Sequence, residues 1–327
     1  MKQRRFGRTE LKVPAITFGG GWVGGVLIHQ NENTAHAALQ TAWDSGIDWI
    51  DTAAQYGDGV SEQVIGRWLA SRAATEKPRI STKFRLDPAE DDFAGQMLRG
   101  VEDSLQRLGI DRVEVIYLHN QIDADGAASR GSRSLSESAA LGMADTMERL
   151  REQGLCDWLG ITALGEPQAL RSVAASGRFD AAQVYYNMLN PTAANGRAPW
   201  NSTNFDSLLK ICASQDIGVM GIRIFAGGHL ATTVRHGREI PVTAAADDSD
   251  EEARAQMVWD LLHPDDGTPA QAALRFGLAA EHISTVVVGL GDLDHLHQAI
   301  TAETMGPMPA DRLAQLETAW GTAAFTG

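Results

Sequence analysis

Residues 47–84 read IDWIDTAAQYGDGVSEQVIGRWLASRAATEKPRISTKF, in which two short apolar segments are separated by an amphipathic one. The first segment, IDWID (47–51), and the last, PRISTKF (78–84), have the length and the residue types of buried strands. Between them, SEQVIGRWLASRA (61–73) places its apolar residues at helical spacing. The stretch therefore predicts two parallel strands joined by a right-handed helical crossover.

The same alternation continues in both directions and gives eight strand–helix units. The predicted strands cover 16–20, 47–51, 78–84, 113–119, 156–162, 179–186, 217–224 and 283–289. The predicted helices cover 33–46, 61–73, 91–109, 136–154, 166–177, 204–216, 268–280 and 292–303. Because eight such units close most simply into a barrel, we predict the α/β class and a single (β/α)8 TIM-barrel domain over residues 1–327.

An open, doubly wound sheet is the main alternative fold. That fold carries a G-x-G-x-x-G turn between its first strand and a helix, where it binds phosphate. The corresponding segment, GGGWVGG (19–25), lacks this spacing and is not followed directly by a predicted helix. The barrel is therefore favoured.

Two long segments interrupt the alternation, after the fourth and the seventh strands. Residues 120–135 are small and polar, and residues 226–267 include the acidic run DDSDEE (247–252), for which we predict a solvated loop. Loops that follow barrel strands lie at the face where barrel active sites form. We expect these two loops, together with residues 22–29, to form the walls of a substrate pocket.

The composition narrows the functional class. The chain has a formal net charge of −14 and no basic stripe, which argues against binding to nucleic acid. Its two cysteines, Cys156 and Cys212, lack metal-type spacing, so we expect no metal site and a reducing compartment. The N-terminal residues do not resemble a signal peptide, and no apolar run is long enough to span a membrane. We therefore expect a cytoplasmic protein without a membrane partner, and its oligomeric state stays open.

Three neighbouring strands are predicted to end in ionisable residues. Asp51, Lys83 and His119 end the second, third and fourth strands, and Tyr56 follows shortly after Asp51. Polar residues at this end of a barrel are usually catalytic. Lys83 is the only one of five lysines in a predicted strand, and a buried ammonium requires a carboxylate partner such as Asp51. The ammonium would stabilise a phenolate at Tyr56, which favours Tyr56 as proton donor to a carbonyl oxygen. His119 can polarise the same oxygen or relay its proton.

Each of these residues also has a purely structural interpretation. A lysine–aspartate pair can simply stabilise a barrel, a histidine at a strand end can be a hydrogen-bonded core residue, and a loop tyrosine can be a packing group. Their convergence on one rim favours catalysis. A Lys83 free of a tight carboxylate pair would instead suit a Schiff-base enzyme of the aldolase type, although Asp51 opposes that alternative.

The same residues resemble the motifs of the aldo-keto reductase family. RRFGRTELKVPAITFGGG (4–21) is similar to the family's N-terminal hairpin and first strand. DWIDTAAQYGDGVSEQVIGRWL (48–69) resembles the motif D-T-A-x-x-Y-G-x-G-x-S-E-x-x-[IL]-G-x-x-L. STKF (81–84) and DRVEVIYLHN (111–120) resemble the segments that carry the family's lysine and histidine. The resemblance runs the length of the chain.

This resemblance implies the residues of the site. The implied catalytic tetrad, with the tyrosine as general acid, is Asp51, Tyr56, Lys83 and His119. An NAD(P) cofactor would lie extended across the barrel mouth, and its expected contacts are Thr162, Gln183, Ile222, Arg223, Gly289, Gly291, Asp292 and Gln298. We expect the substrate to contact Trp22, Phe84 and Asn120.

Two cofactor segments depart from the family pattern. The family usually has Ser-Asn after the fifth strand, where this chain keeps a hydroxyl at Thr162 but has alanine in place of the amide. Gln183 matches the family's glutamine on the sixth strand, which should contact the nicotinamide carboxamide. After the seventh strand, Ile222 or Arg223 stands where many members carry an aromatic residue that stacks on the nicotinamide.

The segment after the eighth strand, VVGLGDLDHLHQA (287–299), indicates NAD(H) rather than NADP(H). The 2′-phosphate of NADP usually binds lysine or arginine, and this segment contains neither. Its Asp292 and Asp294 would repel a phosphate, whereas a carboxylate can accept hydrogen bonds from free ribose hydroxyls. Asp292 is also placed to cap the following helix, and Arg223 from another loop could supply the missing charge.

Together these features predict an NAD(P)-dependent oxidoreductase that interconverts an aldehyde, ketone or aldose with an alcohol. Two other classes stay open at this point. One is the Schiff-base enzyme already described. The other is a nucleotide-binding regulator on the same fold that keeps the tetrad without physiological turnover.

Overall fold

Eight parallel strands close into a barrel, as the sequence predicts. The structure is a computed structural model that describes residues 1–73, 76–126, 134–197, 202–235, 237–238 and 248–320. In chain order, its strands are β1 (Gln3–Arg5), β2 (Lys12–Pro14), β3 (Ile16–Gly19), β4 (Trp49–Asp51), β5 (Arg79–Phe84), β6 (Val113–Leu118), β7 (Ile122–Asp123), β8 (Leu135–Ser136), β9 (Cys156–Ala163), β10 (Ala181–Tyr185), β11 (Gly218–Ile222) and β12 (Thr285–Gly289). The barrel consists of β3–β6 and β9–β12, and β9 pairs with β10 within it.

A helix follows each barrel strand along the chain. In order, the helices are α1 (Glu32–Asp44), α2 (Val60–Ala70), α3 (Phe93–Leu108), α4 (Glu137–Glu152), α5 (Pro167–Ala175), α6 (Thr192–Asn195), α7 (Leu208–Ser214), α8 (Asp248–Trp259), α9 (Pro269–Ala279), α10 (Leu293–Met305) and α11 (Ala310–Trp320). The sequence pattern predicts neither α6, α8 nor α11. Within the described part of the chain, no helix is long and apolar enough to cross a membrane.

The strands separate two apolar cores, because successive residues of a strand point to opposite faces. The outer core lies between the strands and the helices and is the larger of the two. The inner core fills the barrel and consists of Phe6, Val13, Trp49, Val115, Tyr117, Ala181 and Met220. Phe6 follows β1 in the predicted hairpin, where β1 pairs antiparallel with β2, and its ring centroid lies 5.4 Å from that of Trp49. The hairpin therefore closes the amino-terminal end of the barrel and leaves the other end open.

The prediction of a solvated loop for the acidic run is wrong for residues 248–252. These residues begin helix α8, whereas residue 247 lies outside the described residues. Acidic residues in the first turn of a helix are stabilised by the helix dipole. The helix also buries Ala255 and Val258, and this apolar face anchors it to the rest of the protein. The long connection after β11 is thus present, but part of it is helical.

The other long connection follows β6. It contains the short paired strands β7 and β8, and residues 127–133 within it lie outside the described residues. The pocket walls expected from 120–135 and 226–267 therefore fall partly on undescribed residues.

The loop between β4 and α2 carries Tyr56 to the open end of the barrel. Its backbone is left-handed at Gly57 (φ +62°) and Gly59 (φ +88°). A Cβ on Gly59 would lie 2.7 Å from Cδ of Arg107, and one on Gly57 would lie 2.9 Å from Cγ2 of Ile28. Glycine is therefore required at both positions, because the backbone is left-handed there and a Cβ would come too close to a neighbouring side chain.

Candidate active site

Lys83 and Asp51 form a buried ion pair inside the barrel, where β5 and β4 end. Nζ of Lys83 lies 2.6 Å from Oδ2 of Asp51, and the side chains are 0% and 3% exposed. The same nitrogen donates to the backbone oxygen of Thr52 at 2.7 Å and to the hydroxyl of Tyr56 at 3.2 Å. The three ammonium hydrogens thus have three acceptors. Burial lowers the pKa of Lys83, but Asp51 and Tyr56 outweigh it, and the pKa is raised above its ordinary value.

Neutral donors hold the second oxygen of Asp51. Its Oδ1 accepts hydrogen bonds from Oγ of Ser81 at 2.8 Å and from Nε2 of Gln183 at 2.7 Å. Oγ of Ser81 accepts in turn from Nε1 of Trp49 at 3.1 Å. A continuous set of hydrogen bonds therefore runs from Trp49 in the inner core to the ion pair, and it fixes the carboxylate.

His119 lies beside Tyr56 at the open end of the barrel. The two ring centroids are 5.9 Å apart and the ring planes are nearly perpendicular. Burial lowers the pKa of His119 well below 6.5, and the positive charges of Lys83 and Arg85 lower it further. The imidazole is therefore neutral at neutral pH. The structure thus brings together the four residues expected to form the tetrad.

Gln55 is a site residue that the sequence reasoning missed. Its Oε1 lies 2.8 Å from Nδ1 of His119. The only signal in the sequence is its place next to Tyr56 in the motif, and that place does not reveal which way the side chain points.

Thr162 and Gln183 are paired neighbours on β9 and β10. The hydroxyl of Thr162 is buried and has no hydrogen-bond partner among the described residues. Gln183 uses its amide nitrogen on Asp51, which leaves Oε1 as an acceptor. A hydroxyl donor next to an amide acceptor matches the oxygen and the nitrogen of a primary carboxamide, so this pair fits the nicotinamide group of NAD(P).

The expected contacts on β11 lie at the same end of the barrel. Ile222 pairs with Tyr185 of β10, so an aliphatic side chain occupies this register position of β11. Arg223 follows with a left-handed backbone (φ 59°) and a half-buried side chain. The pKa of Arg223 is lowered overall, because the effect of burial exceeds the opposing electrostatic interaction with Tyr185 and Tyr56. The guanidinium is therefore within electrostatic reach of Tyr56.

The segment after β12 is organised around the start of α10. Asp292 caps this helix, and its Oδ1 accepts from the backbone N–H of His295 at 2.9 Å. The backbone N–H of Gly291 donates to Nδ1 of His295 at 3.1 Å, and Gly289 is exposed. Oε1 of Gln298, by contrast, accepts from the hydroxyl of Thr268 at 3.0 Å, which ties this side chain to the start of α9.

Of the three expected substrate contacts, Trp22 is partly exposed, whereas Phe84 and Asn120 are buried. Trp22 is 39% exposed and adjoins Gly21, whose Cβ, if present, would lie 3.8 Å from Cζ of Tyr56. Phe84 is buried in the outer core, because it follows the inward-pointing Lys83 in β5. Asn120 is also buried, and its amide accepts from and donates to the backbone of Leu86 at 2.9 and 2.8 Å. The structure therefore brings Trp22 to the mouth, but not Phe84 or Asn120.

Comparison with known proteins identifies a family and several relatives that this chain resembles. The model of the Aldo/keto reductase family matches residues 15–320. The chain is 28% identical over 320 residues to D-threo-aldose 1-dehydrogenase of Pseudomonas sp, covering 85% of this chain and 86% of that protein. It is 25% identical over 329 residues to L-galactose dehydrogenase of Arabidopsis thaliana, covering 96% and 92%. It is also 24% identical over 331 residues to pyridoxal 4-dehydrogenase of Microbacterium luteolum, covering 91% and 92%.

A solved structure shows the same fold. An aldo-keto reductase from Bacillus halodurans in its holo form superimposes with a TM-score of 0.72 and covers 98% of this chain and 96% of its own. The two sequences are 19% identical, so this likeness concerns the barrel architecture alone.

Proposed function

Because this chain belongs to the aldo/keto reductase family, we propose that it is an oxidoreductase that interconverts a carbonyl and an alcohol with an NAD(P) cofactor. The observation that carries the proposal is the position of the Lys83 ammonium, which contacts the Asp51 carboxylate at 2.6 Å and the Tyr56 hydroxyl at 3.2 Å. A phenol beside a fixed positive charge can release and regain a proton more easily than an isolated one.

Tyr56 is the proposed proton donor and acceptor. During reduction its hydroxyl donates a proton to the carbonyl oxygen, and Lys83 stabilises the phenolate that remains. During oxidation the phenolate accepts the proton of the alcohol. Asp51 keeps Lys83 charged and in place throughout. The cofactor, when bound, supplies or accepts the hydride at the reacting carbon.

The residues that would hold the cofactor lie on four strands and one helix start. Thr162 and Gln183 fit the carboxamide, because one offers an unpaired buried hydroxyl and the other a carbonyl oxygen. Ile222 provides an apolar side chain where other family members stack an aromatic ring. Arg223 and the segment containing Gly289 and Gly291 are the proposed contacts for the phosphates and the adenosine.

We propose NAD(H) as the preferred cofactor. The segment 287–299 contains no lysine or arginine, and Asp292 places a half-exposed carboxylate at the start of α10. A 2′-phosphate near this carboxylate would be repelled, whereas the free ribose hydroxyls of NAD can donate to it. Arg223 is the residue that would overturn this preference if its charge reached the phosphate.

An aldose or a related hydroxylated compound is the proposed substrate. The relatives named above include an aldose dehydrogenase and a galactose dehydrogenase. Trp22, beside the Tyr56 loop, offers a half-exposed indole on which the apolar face of a sugar ring can pack.

The Schiff-base alternative is disfavoured by the state of Lys83. A lysine nucleophile must be a neutral amine, and its pKa must therefore be lowered. Here the pKa is raised, because the attraction of Asp51 and Tyr56 outweighs the effect of burial.

A spectrophotometric assay tests the proposed function. Purified protein is incubated with NAD and, in parallel, NADP, against a panel of aldoses, simple alcohols and pyridoxal, and absorbance of the reduced cofactor is followed. We expect turnover of at least one aldose, and Tyr56→Phe should lower that turnover by roughly 10²–10⁴-fold. Cofactor binding without oxidation of any substrate in the panel would instead support the nucleotide-binding regulator.

A further inference from the structure

Arg85 follows strand β5 and points toward the open end of the barrel. Phe84 and Leu86, the residues on either side of it, are both buried in the outer core. Because side chains alternate along an extended chain, Arg85 faces the interior, on the same side as Lys83 but one step nearer the mouth. Its Nε is buried, whereas the side chain as a whole is partly exposed. A guanidinium therefore lies at the mouth, beyond the Lys83 ammonium.

The backbone on both sides of Arg85 is held by hydrogen bonds. The backbone N–H of His119 donates to the backbone oxygen of Phe84 at 2.9 Å. The Asn120 side chain holds Leu86, because its Oδ1 accepts from the backbone N–H at 2.9 Å and its Nδ2 donates to the backbone oxygen at 2.8 Å. The direction in which Arg85 leaves the strand is thus set by the fold itself, as a preorganised binding residue requires.

The guanidinium brings a positive charge next to the reacting groups. Burial and the charge of Lys83 lower the pKa of His119, and the charge of Arg85 lowers it further. The Lys83 ammonium is compensated by Asp51, whose carboxylate lies 2.6 Å from it. Arg85 is thus a second cation at the mouth, in a chain whose formal net charge is −14. A cation at a concave site raises the local concentration of an anionic ligand.

The order of the strands separates Arg85 from the proposed cofactor contacts. Around the barrel the strands run β3-β4-β5-β6-β9-β10-β11-β12, so β5 lies opposite β11. The proposed cofactor contacts belong to β9–β12 and the start of α10, and the arginine on that side is Arg223. Arg85 lies across the mouth from it, on the side of Tyr56 and His119. The ligand that meets Arg85 is therefore the substrate rather than a phosphate of the cofactor.

We propose that Arg85 is a specificity-determining residue that binds an anionic group of the substrate, a carboxylate or a phosphate ester, while the reacting carbon is held at Tyr56. This inference rests on the proposed function and deepens it, because it narrows the aldoses to sugar acids and sugar phosphates. A guanidinium can donate two parallel hydrogen bonds to either anion, which an ammonium cannot. A neutral sugar offers only hydroxyls to the same side chain and gains no ionic hydrogen bond.

Matched sugars test the proposal. With NAD saturating, kcat/KM for a hexose that the enzyme oxidises is compared with kcat/KM for its uronate and for its 6-phosphate. The ratio of anion to hexose is the quantity measured, because it cancels differences in the fraction of active enzyme. A hydrogen bond to a charged group is worth roughly 10- to 100-fold in affinity, so wild-type protein should prefer at least one anion by that factor. In Arg85→Gln the ratio should fall close to one.

The wild-type ratios decide both the proposal and the kind of anion. The larger ratio identifies the carboxylate or the phosphate ester as the group that Arg85 binds. Wild-type ratios at or below one for both anions would overturn the inference, even if the neutral hexose is a good substrate.

Two further variants separate a specific contact from shape and from the general field of the mouth. Arg85→Lys keeps the charge without the planar fork and should keep part of the preference for the anion. An Arg85→Lys ratio as low as that of Arg85→Gln would show that the side chain acts by shape. Arg223→Gln is the matched control across the mouth and should leave the ratio within about twofold, because distant sites act independently. An equal fall in Arg223→Gln and Arg85→Gln would contradict a specific contact.

Equilibrium binding tests the proposal without turnover. Gluconate and the neutral alcohol glucitol are titrated by calorimetry into protein saturated with NADH, for the wild type and for Arg85→Gln. Gluconate should bind wild-type protein more tightly than glucitol does, and the difference should disappear in the variant. Equal affinities in wild-type protein would overturn the inference. Tighter binding of gluconate by a protein that oxidises no sugar would support the anion site and reject the proposed function.

Discussion

Two buried ion pairs lie on opposite sides of strand β5. Inside the barrel, Lys83 pairs with Asp51, and both side chains are almost fully buried. Outside the barrel, Glu62 of α2 pairs with Arg107 of α3 at 2.7 Å, and the carboxylate is again fully buried. Thr82 donates to Glu62 at 2.5 Å and immediately precedes Lys83, so consecutive residues of one strand serve the two pairs.

The two networks differ in where they end. The guanidinium of Arg107 continues to the hydroxyl of Ser104 at 3.0 Å, which in turn donates to the backbone oxygen of Gly100, so this network closes within α3. The ammonium of Lys83 continues to the hydroxyl of Tyr56 at the open end of the barrel. Both carboxylates belong to the same sequence motif, and both are satisfied. We infer that the outer pair joins α2, α3 and β5, whereas the inner pair acts on a group that meets the substrate.

Residue type alone does not separate these roles. Each pair combines one carboxylate, one cation and one hydroxyl donor, and each would be costly to break. What distinguishes them is whether the last group in the network is held by the protein or left facing solvent and ligand. Activity and stability measurements on matched variants can therefore sharpen or break this comparison.

The largest expected effect is at the exposed end of the inner network. Tyr56→Phe removes the hydroxyl but keeps the ring, and loss of a general acid should lower kcat by roughly 10²–10⁴-fold. The variant should still bind NAD, because the expected cofactor contacts lie on other strands. Steady-state kinetics and fluorescence titration with NADH measure the two quantities, and near wild-type turnover would remove Tyr56 from its proposed role.

Lys83→Met should have the next largest effect on turnover. The change removes the ammonium that donates to the Tyr56 hydroxyl at 3.2 Å, so the oxygen that carries the charge after proton transfer loses its charged hydrogen-bond donor. The variant also leaves Asp51 buried without its cation, at a cost of about 3–5 kcal/mol in the free energy of unfolding.

A double variant separates these two consequences. Lys83→Met combined with Asp51→Asn removes both charges, so that thermal unfolding should recover relative to Lys83→Met alone while turnover stays low. If the double variant regained activity along with stability, the inner pair would be as structural as the outer one.

Arg107→Met is the matched change in the outer network and should affect stability alone. It leaves Glu62 with Thr82 as a donor but without its cation, and an unsatisfied buried group costs roughly 1–3 kcal/mol. Because the guanidinium is 24% exposed, water can replace part of the lost contact. Urea unfolding should show the loss, and kcat/KM per folded molecule should be unchanged. A tenfold fall in kcat/KM at a temperature where the variant is folded would contradict the comparison.

The repeated strand–helix units and the residues at the strand ends could be predicted from the sequence. Apolar runs and helical spacing predicted the barrel strands, and strand ends predicted that Asp51, Lys83 and His119 would meet at one rim. The alternation of side chains along β5 would also have placed Phe84 outside the barrel, since Lys83 points inward.

Other features depend on conformation that no pattern encodes. Asn120 follows His119 in the motif, but its amide binds the backbone of Leu86, a contact set by the loop after β5. The contact of Gln55 with His119 likewise depends on the course of the loop after β4. Charge alone does not predict helix α8, because acidic residues are typical of solvated loops and are also favoured in a first helical turn.

A third carboxylate extends the comparison to the surface and gives the smallest expected effect. Asp292 is 50% exposed, so its charge is screened by water and salt, unlike those of Asp51 and Glu62. Asp292→Asn removes the charge while keeping an oxygen that can cap α10, because asparagine and aspartate are about equally good caps. If the carboxylate disfavours a 2′-phosphate, kcat/KM for NADP should rise relative to NAD.

We expect that ratio to rise by roughly 2- to 5-fold in Asp292→Asn, in line with the small energies of exposed charges at helix ends. The rise should shrink at high salt, because screening weakens the repulsion in wild-type protein. Asp292→Ala is the control, since it removes both the charge and the cap and should in addition lower thermal stability. A wild-type enzyme that already prefers NADP would show that a cation elsewhere, with Arg223 the first to test by Arg223→Gln, binds the phosphate and outweighs the half-exposed carboxylate.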